Sequence, residues 1–131
     1  MILSTRIGPT PSVTPETEQY WQAATEGRLL LRKCVDCGEA HYYPRSLCPF
    51  CMGQTDWIVA AGTGSIYSFS VMTKVEQPYA VAYVKLDEGP VMMTNIIGTP
   101  VGDIEIGARV TLEFIETEGV NPPLPMFRVL G

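Results

Sequence analysis

Cys34-Val35-Asp36-Cys37 and Cys48-Pro49-Phe50-Cys51, ten residues apart, contain all four cysteines of the chain. A Cys-x-x-Cys turn lets two thiolates converge on one ion, and two such turns complete a tetrahedral S4 site. Gly38 and Gly53 sit just past the pairs, where tight knuckles need small residues or left-handed backbone. The spacing therefore predicts a metal centre with Cys34, Cys37, Cys48 and Cys51 as ligands. Four thiolates leave no open coordination position, so the centre reads as structural. Disulfides would satisfy the same count. However, the opening Met1-Ile2-Leu3-Ser4-Thr5-Arg6 lacks the apolar core of a signal peptide, and the expected compartment is the reducing cytoplasm. A thioredoxin-type pair needs Cys-x-x-Cys at a helix start in a strand–helix–strand setting, and neither pair has one.

Around the knuckles the signals are short β pieces at 29–32, 40–43 and 56–60. They hold too little apolar matter to stand alone, and metal binding supplies folding energy in such cases. A tetrahedral S4 site suits iron as well as zinc. With Tyr42 and Tyr43 nearby, the Cys-Pro-Phe-Cys turn is similar to rubredoxin, but the gap between the pairs is shorter than in that family. Zinc is the favoured ion.

Upstream, Thr14 reads as an N-cap and Pro15 as the first helical residue, with Glu16 and Glu18 at the positive end of the dipole. Tyr20, Trp21, Ala23 and Ala24 form an apolar stripe and Gly27 a stop, which predicts a helix over 15–26. Residues 1–13, with Gly8, Pro9 and Pro11 and no apolar period, read as a flexible or docking arm. Helix and ribbon together form a unit over 14–60.

Downstream, 61–131 carries longer β signals at 64–73, 79–86, 91–97, 108–116 and 126–130. Gln77-Pro78, Asp87-Glu88-Gly89-Pro90, Gly98-Thr99-Pro100 and Asn121-Pro122-Pro123 punctuate them. Tyr67, Phe69 and Val71 alternate with serines, the pattern of a half-buried strand. The apolar run 79–84 calls for a covered strand. Five strands in this length fit a small closed barrel better than an open sheet with edges to protect. The fold class is mainly β: a helix, a ribbon, then a barrel.

The chain has 131 residues, 46% hydrophobic and 18% charged, which places it with globular proteins. Its apolar runs are far shorter than the ~20 residues of a membrane helix. Nine basic against fourteen acidic residues give a net charge of −5, which disfavours a phosphate-backbone binder. Residues 1–60 hold five basic and six acidic groups, and 61–131 hold four and eight, so neither half is a basic platform. Gly62-Thr63-Gly64 is no dinucleotide loop, because Tyr67 replaces the third glycine. His41, the one histidine, reads as structural or solvated. No residue is assigned a catalytic role. Arg28, Arg32, Lys33 and Arg45 concentrate positive charge near the knuckles, able to offset the anionic S4 site or to meet phosphates. Met52, Met72, Met92, Met93 and Pro122-Pro123-Leu124-Pro125-Met126-Phe127 are candidates for an adaptable apolar surface.

One ordered set of residues carries a resemblance over about 14–130. It runs Tyr20-Trp21, Gly27-Arg28-Leu29, Cys34-x-x-Cys37-Gly38, Tyr43-Pro44-Arg45, Cys48-Pro49-x-Cys51, Gly64-x-Ile66-Tyr67-Ser68, and Gly107-x-x-Val110 before a Pro-Met-Phe strand. It resembles the acyl-CoA-associated proteins that join a rubredoxin-like zinc ribbon to a five-stranded OB-fold. The resemblance implies a non-catalytic accessory subunit, in a hetero-oligomer, that binds or channels acyl-CoA thioesters. Members of the family associate with thiolase-superfamily enzymes or with acyl-CoA hydratases; the expected partner here is a thiolase or acyl-CoA aldol-lyase, acting in a degradative pathway. It implies Zn2+ on Cys34, Cys37, Cys48 and Cys51 and coenzyme A thioester as ligand. Among the basic residues near the knuckles, Arg28, Lys33 and Arg45 are the candidates to meet the CoA phosphates. Neither membrane nor nucleic acid is an expected partner. The competing class is an OB-fold and zinc-ribbon nucleic-acid module, for which Tyr67 and Phe69 could stack bases.

Overall fold

The computed structural model describes residues 2–3, 8–119 and 122–130. Met1 and residues 4–7 of the expected arm, and Asn121 of the expected turn, lie outside the described residues. Strand β1 (Ile2–Leu3) pairs antiparallel with β8 (Thr99–Pro100), a contact the sequence did not announce. Leu3 is buried there, and Gly8 bridges to Thr117, so these residues of the arm lie against the barrel.

Helix α1 (Glu18–Thr25) starts three residues later than the predicted 15–26. Thr14 does not cap it. Instead, Thr14 and Thr17 close a turn of their own: Thr17 N donates to the Thr14 carbonyl at 3.0 Å and Thr14 N to Thr17 Oγ1 at 3.1 Å. The C-terminus follows the sequence. Gly27 adopts φ +80°, Gly27 N bonds Ala24 O at 3.0 Å and Arg28 N bonds Ala23 O at 2.9 Å, the two bonds of a Schellman motif. Tyr20, Trp21, Ala23 and Ala24 are all buried, as their spacing predicted.

Strands β2 (Leu30–Cys34), β3 (Ala40–His41) and β4 (Thr55–Val59) form an antiparallel sheet in the order β3-β2-β4. The knuckles hang from its ends. Five further strands close into a barrel: β5 (Thr63–Met72), β6 (Tyr79–Leu86), β7 (Val91–Ile96), β9 (Arg109–Ile115) and β10 (Leu124–Val129). β10 lies antiparallel to β9 and meets β7 in parallel, at Phe127 and Ile96, which closes the ring. This is the Greek-key arrangement of an OB-fold. The predicted last strand begins two residues early because 124–125 already pair with Ile115 and Phe114.

A bulge between Ile66 and Ser68 turns β5 around the barrel. Gly64 is needed where β5 crosses β6, since a Cβ there would lie 2.4 Å from the Lys85 carbonyl oxygen. Leu3, Tyr20 and Leu29–Leu31 share one buried cluster with Ile66, Val84, Ile96, Val110 and Phe127, so ribbon and barrel pack on a common core. Met92, Met126 and Phe127, which the sequence offered as surface, belong to the interior, while Met52 and Met93 are exposed.

A clamp ties the β6–β7 turn to the barrel wall. Arg109 donates to both Asp87 oxygens at 2.8 Å, and Thr63 Oγ1 donates to Asp87 Oδ2 at 2.5 Å. Led by the Arg109 bonds, these hold the Asp87 carboxyl down at about 2. A depressed pKa contributes stability above the ordinary carboxylate range, about 4, and that stability is lost as pH falls toward 2. Asp87→Asn is thus expected to lower the urea midpoint at pH 7, with the gap from wild type narrowing as pH drops from 4 to 2. Urea titrations at stepped pH check this.

Candidate metal centre and the ribbon–barrel seam

The two knuckles bring Cys34, Cys37, Cys48 and Cys51 together with their sulfurs all within 4.8 Å of one another. Cys34 Sγ lies 3.5 Å from Cys51 Sγ, and Cys37 Sγ lies 3.7 Å from Cys48 Sγ. Tetrahedral zinc at its usual bond length would set sulfurs about 3.8 Å apart, so the cradle matches the ion. Backbone N–H groups point at the sulfurs: Cys37 N and Asp36 N at 3.4 Å from Cys34 Sγ, and Phe50 N at 3.4 Å from Cys48 Sγ. Led by the Cys37 N–H, the two donors to Cys34 bring its thiol down to about 7, while the thiols of Cys37 and Cys51 beside it are pushed up, so Cys34 is the first thiolate offered to a metal.

The glycines divide their work. Gly38 takes φ +78° after the first knuckle. After the second, Met52 takes the equivalent place at φ 66°, and Gly53 is required instead by close packing. A Cβ on Gly53 would sit 2.4 Å from Asp36 Oδ2 and 3.0 Å from Cys34 Sγ.

His41 stands clear of the metal cradle. It is buried, its Nε2 accepts the Arg45 N–H at 3.0 Å, and burial lowers its pKa, so it holds the loop between the knuckles in the neutral form. Arg32 is also structural. Its guanidinium lies 3.9 Å over the Trp57 ring and donates to the Thr55 carbonyl at 3.0 Å. Arg28, Lys33 and Arg45 are not drawn to one point. Arg28 pairs with Glu26 at 2.7 Å and lines a hollow beside Trp57 and Gln22. Arg45 lines a different hollow, with Glu16 and Leu47. Lys33 is exposed on β2 opposite Ala40 and Asp56.

The seam between ribbon and barrel was not legible as a site in the sequence. Tyr20, Trp21, Tyr42 and Tyr43 pack mostly edge-to-face with centroids 4.7–5.9 Å apart, and Trp21 and Tyr43 meet tilted at 6.2 Å. Trp21 Nε1 donates to the Tyr43 hydroxyl at 2.7 Å, and the Tyr20 and Tyr42 hydroxyls bond at 2.8 Å. Beside this cluster, against β6, β7 and β10, lies an apolar hollow of 380 Å³. Its walls come from five separate stretches of chain. Met93 and the 124–126 segment were the one local signal.

An S4 ribbon packed on a five-stranded Greek-key barrel defines a zinc-ribbon and OB-fold protein. The comparisons narrow the class. Residues 21–57 match the ChsH2 rubredoxin-like zinc ribbon domain and residues 57–114 the ChsH2 C-terminal OB-fold domain. The chain belongs to this DUF35 family. It is 32% identical over 108 residues to a DUF35 domain-containing scaffold protein of Methanothermobacter thermautotrophicus, covering 76% of this chain and 81% of that one. It is 36% identical over 129 residues to a probable enoyl-CoA hydratase alpha subunit of Thermomonospora curvata. That match takes in 93% of this chain but 40% of that protein, so the chain spans well under half of that relative. Among solved structures, it superposes on a chain of the Ltp2-ChsH2(DUF35) aldolase with a TM-score of 0.76 and 34% identity, covering 91% of this chain and 98% of that one. A DUF35-family protein of unknown function from Sulfolobus solfataricus shares the fold, with a TM-score of 0.67 at 15% identity over 90% of this chain and 87% of that one.

Proposed function

We propose that this chain is a non-catalytic accessory subunit that binds or channels acyl-CoA thioesters for a thiolase-superfamily partner, either a thiolase or an acyl-CoA aldol-lyase. The observation that carries the reading is the match over 98% of a chain in an aldolase whose name joins Ltp2 to a DUF35 component. The scaffold name of one relative supports an accessory role, and the enoyl-CoA hydratase subunit name of another supports an acyl-CoA context. In this reading the partner supplies the groups for carbon–carbon bond chemistry, and this chain covers its entrance. Zn2+ on Cys34, Cys37, Cys48 and Cys51 is structural and fixes the knuckles relative to β2. Arg28, Lys33 and Arg45 meet CoA phosphates from separate positions around the ribbon, so each acts as a single charge-assisted contact. The proposed division of the chain is an arm over 1–13, helix and ribbon over 14–60, and barrel over 61–131.

A nucleic-acid module would draw on Tyr67 and Phe69, both exposed on β5. The excess of acids in the barrel half opposes it. Affinity purification of the tagged chain from its source cells, washed at high salt and read by mass spectrometry, separates the readings. A thiolase-superfamily protein is the expected companion.

A further inference from the structure

We infer that the hollow at the ribbon–barrel seam is the site for the apolar acyl group of the thioester, an assignment that rests on the acyl-thioester reading above. Its lining carries no Asp, Glu, Lys or Arg. Trp21 and Tyr42 form one wall; Val81, Met93 and Met126 form the other. Four polar side chains among the walls are turned to internal work. Thr94 Oγ1 donates to the Pro125 carbonyl at 3.1 Å and Asn95 Nδ2 to the Ala80 carbonyl at 3.0 Å. Trp21 Nε1 and the Tyr42 hydroxyl are held by Tyr43 and Tyr20. A ligand here gains apolar contact and finds these donors already spent. A nucleotide or diphosphate would meet no cation and is the wrong chemistry for the place.

Size and stiffness agree. The 380 Å³ volume falls at the lower end of ligand pockets, about 300–1,000 Å³, and is more than twice the roughly 150 Å³ apolar cavity that takes up one benzene. A medium-length acyl chain or two fused rings would fill it. The aromatic cluster fixes one side, while the unbranched, exposed thioether of Met93 adjusts at the rim, as suits acyl groups of varied shape. Met93 is 62% exposed at the rim, so the tail enters past it with the thioester left outside.

The test uses the purified full-length chain and calorimetric titration with two series of thioesters, butanoyl to octanoyl. One series is on coenzyme A and the other on N-acetylcysteamine, which has no nucleotide. Burial of each methylene predicts affinity rising on the order of a hundredfold across either series. Met93→Glu, at an exposed position that leaves folding intact, is expected to flatten the rise. Far-ultraviolet circular dichroism checks that the variant is folded. A flat series in wild type, no binding of the octanoyl thioesters, or a rise unchanged in Met93→Glu overturns the assignment. Coenzyme A binding with a flat series would refute the hollow and spare the CoA reading. A rise on N-acetylcysteamine with no gain from the nucleotide would support the hollow and count against the CoA contacts.

Discussion

Removing the metal is expected to unfold the ribbon. Cys34→Ser, or prolonged treatment of wild type with a strong zinc chelator, should abolish stoichiometric zinc and release amide protection across β2, β3 and β4. The expected scale is large. Structural zinc contributes on the order of 10–16 kcal/mol in ribbon-sized peptides, and β3 has only two residues with which to hold itself. The knuckles have little else. Val35, Leu47, Phe50 and Met52 are exposed, so the turns carrying the cysteines bury almost no apolar surface of their own. Zinc analysis by mass spectrometry and hydrogen exchange together check the result. A ribbon still protected after complete metal loss would refute the structural role.

The second large effect concerns Leu31, which is 0% exposed on β2 and belongs to the cluster that includes Ile66, Val84 and Phe127. Truncating a buried leucine costs about 2–5 kcal/mol through lost transfer energy and the cavity left behind. Leu31→Ala should therefore lower stability by that amount in urea. The loss should appear in barrel signals as well as ribbon signals, because the side chain sits where the two halves share a core. Coincident shifts of tryptophan fluorescence and barrel amide protection are expected. A shift confined to the ribbon would mean that the halves unfold separately.

Much of this architecture was legible in local chemistry. The knuckles are specified by cysteine spacing alone. The barrel strands announce themselves through alternation and through Pro/Gly punctuation at their ends. Gly27 stops α1 because its left-handed backbone permits the Schellman bonds. The start of α1 was less legible, since Thr14 had two uses for its hydrogen bonds and the pairing with Thr17 won. The β1–β8 pairing is carried by two residues on each strand, too short for any periodicity to show. The roles of Met92 and Met93 differ through strand alternation: one faces the core and its neighbour faces out, which the chain's own pattern at 91–96 implies once β7 is placed. The seam hollow had no motif because Trp21, Tyr42, Val81, Met93 and Met126 meet only after the ribbon packs on the barrel. The phosphate-binding role proposed for Arg28, Lys33 and Arg45 rests on positive charge concentrated beside the knuckles, with no motif to place the side chains. Arg28 and Arg45 line different hollows, since Arg28 follows the helix stop at Gly27 and Arg45 lies in the loop after β3.

Activity in the isolated assembly tests the accessory-subunit role at its root. The tagged chain would be drawn from its source cells through high salt, and the eluted material assayed for cleavage or formation of a carbon–carbon bond in acyl-CoA thioesters. A thiolase-superfamily protein in fixed ratio with this chain is expected, with turnover that falls when the two are separated and returns when they are recombined. Recovery of nucleic-acid proteins, or of the chain alone, would contradict it.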